Sequence, residues 1–389
     1  MGYVAVKGGI NAVNNSEKLV NYYRVKGKSE PIEVEQIHDQ LRFAVDRAMS
    51  EGSIYAPELA ALAVKQAEGD PIEASFIMRA FRATQARNHY SVITDTGDMR
   101  VIRRISATFK DIPGGQILGP TRDYTTRLLN FNLKDESKDN IQDFITDFLG
   151  DIEDKEFNDL NEKPVFPKVI DILRKEGLLK ESKRDDMANM SINSGNDISS
   201  YENEQPACDI TREGLKFPAP RSARLQVMAR GETGGMITLA YTTMRGYGNI
   251  HPTLGELRVG YLPVMIKHPN RDENIHLGEV LVTEAEVISQ DFSKDEMNDG
   301  SEKELPIFTV GYGLCFGHNE EKAISMAILD RAMDTDEPKA PAQDQEFVLS
   351  HIDGIEASGF TSHWKLPHYV TFQSVLDRIR KSRENKEVK

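Results

Sequence analysis

Glu279–Ile288 reads EVLVTEAEVI, and its period-two pattern is that of a β-strand. Strict alternation puts Glu284 and Glu286 on one face of that strand. Three further stretches share its alternating or continuous apolar character: Met236–Met244 (MITLAYTTM), Glu256–Ile266 (ELRVGYLPVMI) and Pro306–Phe316 (PIFTVGYGLCF). Together they predict a mixed or antiparallel β-sheet region in the second half of the chain. GYG occurs at 246–248 and again at 311–313, and the simplest account is a tight turn at each.

Helical patterns flank these strands. Ser222–Arg230 suits a short helix, and Asn319 is placed to cap Glu320–Met333, with Ala323, Met326, Ala327 and Leu329 inward. A last helix begins near Phe372 and ends in a tail expected to fray. The first third predicts a helical layer. Val34–Met49 carries apolar residues at helical spacing, with Gly52 as its stop, and Pro57–Ala67 follows. A third helix has Asp70 as N-cap, Pro71 at the first position and Glu73 at the third. Its stripe Ile72, Phe76, Ile77, Ala80 and Phe81 is expected to face a core, with Arg79, Arg82 and Arg87 outward. Tyr3–Lys7 reads as a short strand. Fold class is therefore α+β, in three parts: 1–130, an acidic insertion and linker at 131–210, and a β-rich region at 211–389.

The 389 residues carry a net charge of −14, unevenly spread. Residues 135–162 hold eleven carboxylates against Lys138 and Lys155. They read as a solvated face, with one amphipathic helix around Phe144, Ile145 and Phe148, and a second helix at Val169–Leu179. Deletion of 135–205 is expected to spare folding. So acidic a chain is a poor nucleic-acid binder. No run reaches the ~20 apolar residues of a membrane helix, and MGYVAVKGGINAV lacks a secretory pattern, so a cytoplasmic protein is expected. Cys208 and Cys315 are the only cysteines, too few for an iron–sulfur cluster within this chain.

Residues 100–127 invert the local charge: Arg100, Arg103, Arg104, Lys110, Arg122 and Arg127 face only Asp111 and Asp123. Met99–Phe109 reads as a strand, and Asp123–Leu129 as the start of a helix capped by Asp123. Between them lies KDIPGGQILGPT (110–121). Its Gly114 and Gly115 let backbone amides approach an anion, although a plain β-turn connector fits equally well. Arg103 and Lys110 are expected near a pocket shared with the 245–256 loop, which brings Arg245, His251 and Glu256.

GFTSHWKLPHYVTFQ (359–373) places His363 and His368 five residues apart, with Pro367 bending the chain between them. Spacing alone suggests a metal but favours two ordinary packing residues. No GxSxG or HExxH motif occurs. Glu284 and Glu286 have the chemistry of a general base or an oxocarbenium stabiliser, although such pairs more often line an exposed sheet face.

Longer blocks are more specific. YVAVKGG (3–9), RRISATFKDIPGGQILGPTRDYTTRLL (103–129), AYTTMRGYGNIHPTLGELRVGY (240–261), GYGLCFG (311–317) with EKAISMAILDRA (321–332), and PAQDQEFVLSHIDGIEASGFTSHWKLPHYV (341–370) closely resemble the PhnI family. These are the I subunits of the bacterial carbon–phosphorus lyase core complex. The blocks keep the family's order and lapse mainly over 130–210. Smaller departures are Val310, Trp364 and Thr371, where the family pattern has Arg, Leu and Asp. The resemblance implies a nucleosidase component of ribose 1-methylphosphonate 5-triphosphate synthase, which displaces adenine from ATP so that an alkylphosphonate takes ribose C1. It implies G, H and J subunits as partners in a two-fold core, with the L subunit for the coupled reaction. C–P cleavage would belong to the radical-SAM J subunit. On this resemblance His363 and His368 are a metal pair, expected to hold zinc at the J interface. Candidate catalytic residues are Glu256, Glu284 and Glu286; candidate substrate-binding residues are Arg103, Arg104, Lys110, Gly114, Gly115 and Arg245. The alternative is a non-catalytic scaffold that organises the complex.

Overall fold

Four antiparallel strands in the order β1-β2-β3-β4 form the centre of the computed structural model, which describes residues 9–153, 166–180, 208–244, 251–296, 302–335 and 337–387. They are β1 (Arg100–Ile105), β2 (Thr253–Lys267), β3 (Asn274–Glu296) and β4 (Glu302–Phe316). The helices are α1 (Gly9–Val25), α2 (Val34–Gln40), α3 (Arg42–Gly52), α4 (Pro57–Gln66), α5 (Pro71–Ala83), α6 (Lys138–Glu153), α7 (Ile170–Lys175), α8 (Arg221–Arg230), α9 (Thr233–Met244), α10 (Glu320–Met333), α11 (Gln345–His351), α12 (Gly354–Ser362) and α13 (Tyr369–Glu387). The α+β expectation holds.

The two sheet faces differ chemically. One carries Leu257, Ala285, Val287 and Cys315 and packs on Ala323, Met326, Ala327 and Leu329 of α10. The helix lies so close that a methyl on Gly311 would sit 1.9 Å from the Ala327 carbonyl oxygen, and one on Gly313 2.1 Å from that of Ala323. Gly311–Gly313 is thus a contact stripe inside β4; the turn expected there is absent, and the copy at 246–248 lies outside the described residues. On the opposite face, register places Glu256 against Glu286 and Arg258 against Glu284. That face is polar and also buried.

Helices α2–α5 form the expected N-terminal layer around Ile37, Val45, Met49, Ala61 and Met78. Asp70 caps α5, accepting from the amides of Ile72 and Glu73 at 2.9 and 3.0 Å. The buried face of α5 is Ala74, Ser75 and Met78, however, while Phe76 and Phe81 are exposed. Arg79 turns the helix. Its guanidinium points inward to Asp353 at 2.7 Å and to the carbonyls of Glu51 and Arg230. The reading of 34–49 as one helix also fails: the chain breaks at Leu41, and Gly52 ends α3 from within, with Ser53 in the left-handed region.

Met236–Met244 is helical, not a strand. Glu232 receives the amides of Gly234 and Gly235 at 2.7 Å each, satisfying donors that open α9. Residues 123–129 form no helix, because Asp123 is held by Arg103 and Arg127 is left-handed (φ 54°). α6 forms as expected, whereas the helix at 169–179 shrinks to α7. The peripheral reading of the insertion fails over 166–180: Val169, Ile170 and Leu173 are buried, and Leu178 and Lys180 bond to Phe308 of β4. The strand expected at Tyr3–Lys7 and the linker expected at 181–205 lie outside the described residues.

Candidate active site

The polar sheet face lies beneath two crossing segments. The first is the loop after β1. Pro113 and Gly114 (φ 82°) occupy the centre of a turn closed by the Gly115 amide on the Ile112 carbonyl at 2.9 Å, as a type II turn requires. Arg104 holds that loop from below, donating to the Pro113 and Gly115 carbonyls at 2.6 and 3.0 Å. The second is a strap, residues 166–180. Arg104 also donates to the Pro167 carbonyl at 2.7 Å and pairs with Glu256 at 2.5 Å. The other Glu256 oxygen accepts the Val169 amide at 3.0 Å.

The strap carries Lys168 into the sheet's carboxylates. Its Nζ lies 2.9 Å from Glu284 Oε1 and 3.3 Å from Glu286 Oε1. Glu284 is saturated: Oε1 also accepts from Thr96 at 2.7 Å and from the Tyr312 hydroxyl at 2.9 Å, and Oε2 takes Arg258 Nε at 2.8 Å. Glu286 is not. Its Oε2 is buried and makes no hydrogen bond among the described residues.

The two carboxyls consequently diverge. Burial raises both, but around Glu284 it is outweighed by Lys168 and Arg258, which hold that carboxyl down at about 2. For Glu286 burial wins; Lys168 opposes it, and the neighbouring charges of Glu284 and Glu256 push further up, to about 7. Lys168 itself is held up: burial disfavours its charge, and Glu284 and Glu286 more than compensate. Burial together with Glu284 keeps Tyr312 well above the ordinary phenol range. The result is one ionised carboxylate beside one carboxyl poised near neutrality, the separation that acid–base chemistry uses.

Of the sequence candidates, Glu256, Glu284, Glu286 and Arg104 come together here. Arg103 is fully buried but spent: it pairs with Asp123 and Glu320 and donates to the Leu118 carbonyl, bracing the far end of the loop. Lys110, Gly114 and Gly115 are exposed on the loop's outer side, and Arg245 lies outside the described residues. The described part of the 245–256 loop does adjoin this region. Ser106 donates to Gly255 at 2.6 Å and Thr108 to Leu254 at 2.9 Å, and beside them opens a cleft of about 490 Å³ lined by Thr108, His251, Thr253, Ile288, Gln290 and Phe308. Ile288 follows Glu286 on the same face of β3. Lys168, Tyr312, Arg258 and Thr96 were not found from sequence. Arg258 and Tyr312 were within reach, since alternation on β2 and β4 sets them against Glu284 and Glu286.

The histidine segment is separate. Leu366 is extended (φ −74°, ψ 154°), as Pro367 requires, and the two half-buried imidazoles approach to 5.4 Å between centroids. His368 Nδ1 lies 2.6 Å from the Leu366 carbonyl, and His363 Nδ1 meets that of Phe360. Both Nδ1 atoms are therefore occupied by backbone, which leaves each Nε2 lone pair for a metal. The donor set fits zinc, and two imidazoles on one ion at about 2.0–2.1 Å are compatible with that ring separation. Among the described residues no group of three His, Cys, Asp or Glu forms a complete site.

Comparison with known proteins places the chain among bacterial phosphonate-metabolism proteins. The family model for "Bacterial phosphonate metabolism protein (PhnI)" matches residues 2–386. The chain belongs to the PhnI family. It is 48% identical over 389 residues (99% of this chain, 96% of the relative) to HtxH of Stutzerimonas stutzeri, provisionally named a C-P lyase subunit protein. It is 43% identical to the alpha-D-ribose 1-methylphosphonate 5-triphosphate synthase subunits PhnI of Rhizobium meliloti strain 1021 and Escherichia coli K12, over 98% and 97% of this chain and 95% and 98% of those proteins.

Proposed function

We propose that this chain is the I subunit of a ribose 1-methylphosphonate 5-triphosphate synthase in a carbon–phosphorus lyase complex, and that it breaks the N-glycosidic bond of ATP. The family and the names of its relatives support the first part. The second rests on one observation: Glu286 presents a buried carboxyl oxygen with no partner among the described residues, next to a saturated, ionised Glu284. Cleavage leaves the electron pair of the C1′–N9 bond on adenine and positive charge on the ribose. Ionised Glu284 and Glu286 stabilise that charge; when no phosphonate is present, water bonds to C1′ and passes a proton to Glu286, and the departing adenine takes a proton at nitrogen from solvent. Arg103 and Arg104 support the triphosphate indirectly by shaping the loop, whose Lys110 and exposed Gly114 amide are the contacts on offer, the Gly115 amide being spent on closing the turn.

The assembly reading extends to G, H and J subunits in a two-fold core, to the L subunit for coupling, and to zinc at His363 and His368 facing the J subunit. Phe360, Trp364, Tyr369, Val370 and Phe372 are exposed around the histidines, in keeping with a protein partner there. No described helix is long and apolar enough to cross a membrane. Adenine release from ATP by the isolated chain tests the enzymatic reading; no release by the isolated chain, together with release by the remaining subunits when this chain is omitted, would leave a non-catalytic subunit. Metal analysis of the assembled complex against His363→Ala and His368→Ala tests the zinc pair, which falls if both variants keep wild-type metal content.

A further inference from the structure

We infer that Lys168 is a positioning residue for Glu286, set in place by the Arg104–Glu256 ion pair, which grips the strap on both sides of it. This deepens the reading of Glu286 as the proton acceptor and rests on it. The geometry is that of a clamp. Arg104 takes the carbonyl of Pro167 at 2.7 Å and Glu256 the amide of Val169 at 3.0 Å, while the two side chains bind each other at 2.5 Å. Both peptide neighbours of Lys168 are thereby tied to the sheet, and the buried Val169 and Ile170 side chains anchor the start of α7. The Lys168 ammonium is then 3.3 Å from Glu286 Oε1, while Glu286 Oε2 has no hydrogen-bond partner among the described residues.

Every charged group around Glu286 bears on what that ammonium does. Glu256 and Arg258 face it from β2, Glu284 from its own strand, Tyr312 from β4, and Lys168 from the strap. With Glu286 ionised, three cations (Arg104, Lys168, Arg258) balance three carboxylates. Arg104 is committed to Glu256 and Arg258 to Glu284. Lys168 is the cation within hydrogen-bond reach of Glu286. Without it an ionised Glu286 would stand between two other carboxylates in a buried site, and the proton would stay on to higher pH. Lys168 is also the most exposed of these charged side chains, at 23% against 7% or less for Glu256, Arg258, Glu284 and Glu286. The cluster meets solvent through it.

The test uses the full chain with ATP and follows adenine release against pH for the wild type, Lys168→Met, Lys168→Gln, Lys168→Arg and Glu286→Gln. A parallel infrared titration follows the carboxylic-acid band that Glu286→Gln removes, a readout that needs no turnover. Lys168→Met and Lys168→Gln should each move the acid limb of kcat and the infrared midpoint upward by about one to three pH units, with KM for ATP near the wild-type value. Lys168→Arg should return both toward wild type. An infrared midpoint unchanged in Lys168→Gln or Lys168→Met overturns the inference. If Glu286→Gln releases adenine at the wild-type rate while the lysine variants still shift the midpoint, the positioning stands and the catalytic reading of Glu286 falls. Should Lys168→Met fail to fold, Lys168→Gln keeps a donor without the charge and decides the same question.

Discussion

Replacing Glu286 by Gln should make the protein more stable above neutrality and leave its stability near pH 4.5 unchanged. The side chain keeps its shape, and what disappears is a charge that the fold holds at a cost. In the unfolded chain this carboxyl titrates near 4.5, whereas in the fold it is raised to about 7. Below the lower value both states are protonated and no penalty exists. Between the two the unfolded chain ionises first, so the wild type loses stability as pH rises. Above about 7 the penalty is complete. One pH unit is worth about 1.4 kcal/mol, which sets a ceiling of ~3 kcal/mol for the gain. Lys168 loses one of its two carboxylate partners in the variant and offsets part of this, so about 1–3 kcal/mol is expected at pH 8. Urea unfolding at pH 5 and pH 8 measures it, from midpoints at constant slope. A variant less stable than wild type at pH 8, or one whose difference is equal at both pH values, would mean that the fold holds no such penalty at Glu286. A side chain that the fold holds ionised at a cost to stability is the pattern of a functional site.

Three further outcomes rest on the packing. Gly313→Ala should destabilise by about 1–3 kcal/mol or more, because the methyl would meet the Ala323 carbonyl at 2.1 Å and α10 would have to lift; a thermal midpoint equal to wild type would contradict this. Leu173→Ala should cost about 2–5 kcal/mol by chemical unfolding, since the strap is core, whereas Phe144→Ser on exposed α6 should change little; equal effects would restore the peripheral reading of the insertion. Lys322 is fully buried against Ser50 and the Ala229 carbonyl, and burial lowers it to about 8. The unfolded chain then binds the proton that the fold releases, so stability should climb between pH 8 and about 10.4, and Lys322→Met should flatten that climb.

The sheet was legible where alternation was strong. The patterns at 256–266, 279–288 and 306–316 are strands, and Glu256, Glu284 and Glu286 do share a face. That this face is buried was not legible, because the cover comes from a distant segment of the chain, and a helical pattern at 169–179 does not say which surface it will cross. Lys168 follows the acidic stretch between Pro167 and Val169, and nothing local distinguishes it from a surface lysine. The arginines misled in a consistent way. Arg79, Arg103 and Arg104 suggested outward charge or anion binding, yet each spends its donors on carboxylates and carbonyls inside the chain. Met236–Met244 has β-branched and aromatic residues that suit a strand, but Glu232 supplies the helix start and α10 the packing surface, and tertiary contact overrides propensity. The bend at Leu366–Pro367 was legible, because proline geometry is a local rule.

Adenine release by the assembled complex containing Glu286→Gln, with ATP and methylphosphonate supplied, is the most direct measurement of the central claim. The complex should stay intact, still bind ATP and release adenine at least about 100-fold more slowly than wild type, the lower end expected for loss of a general base. Release at the wild-type rate would contradict it and move the chemistry to another part of the chain or to a partner.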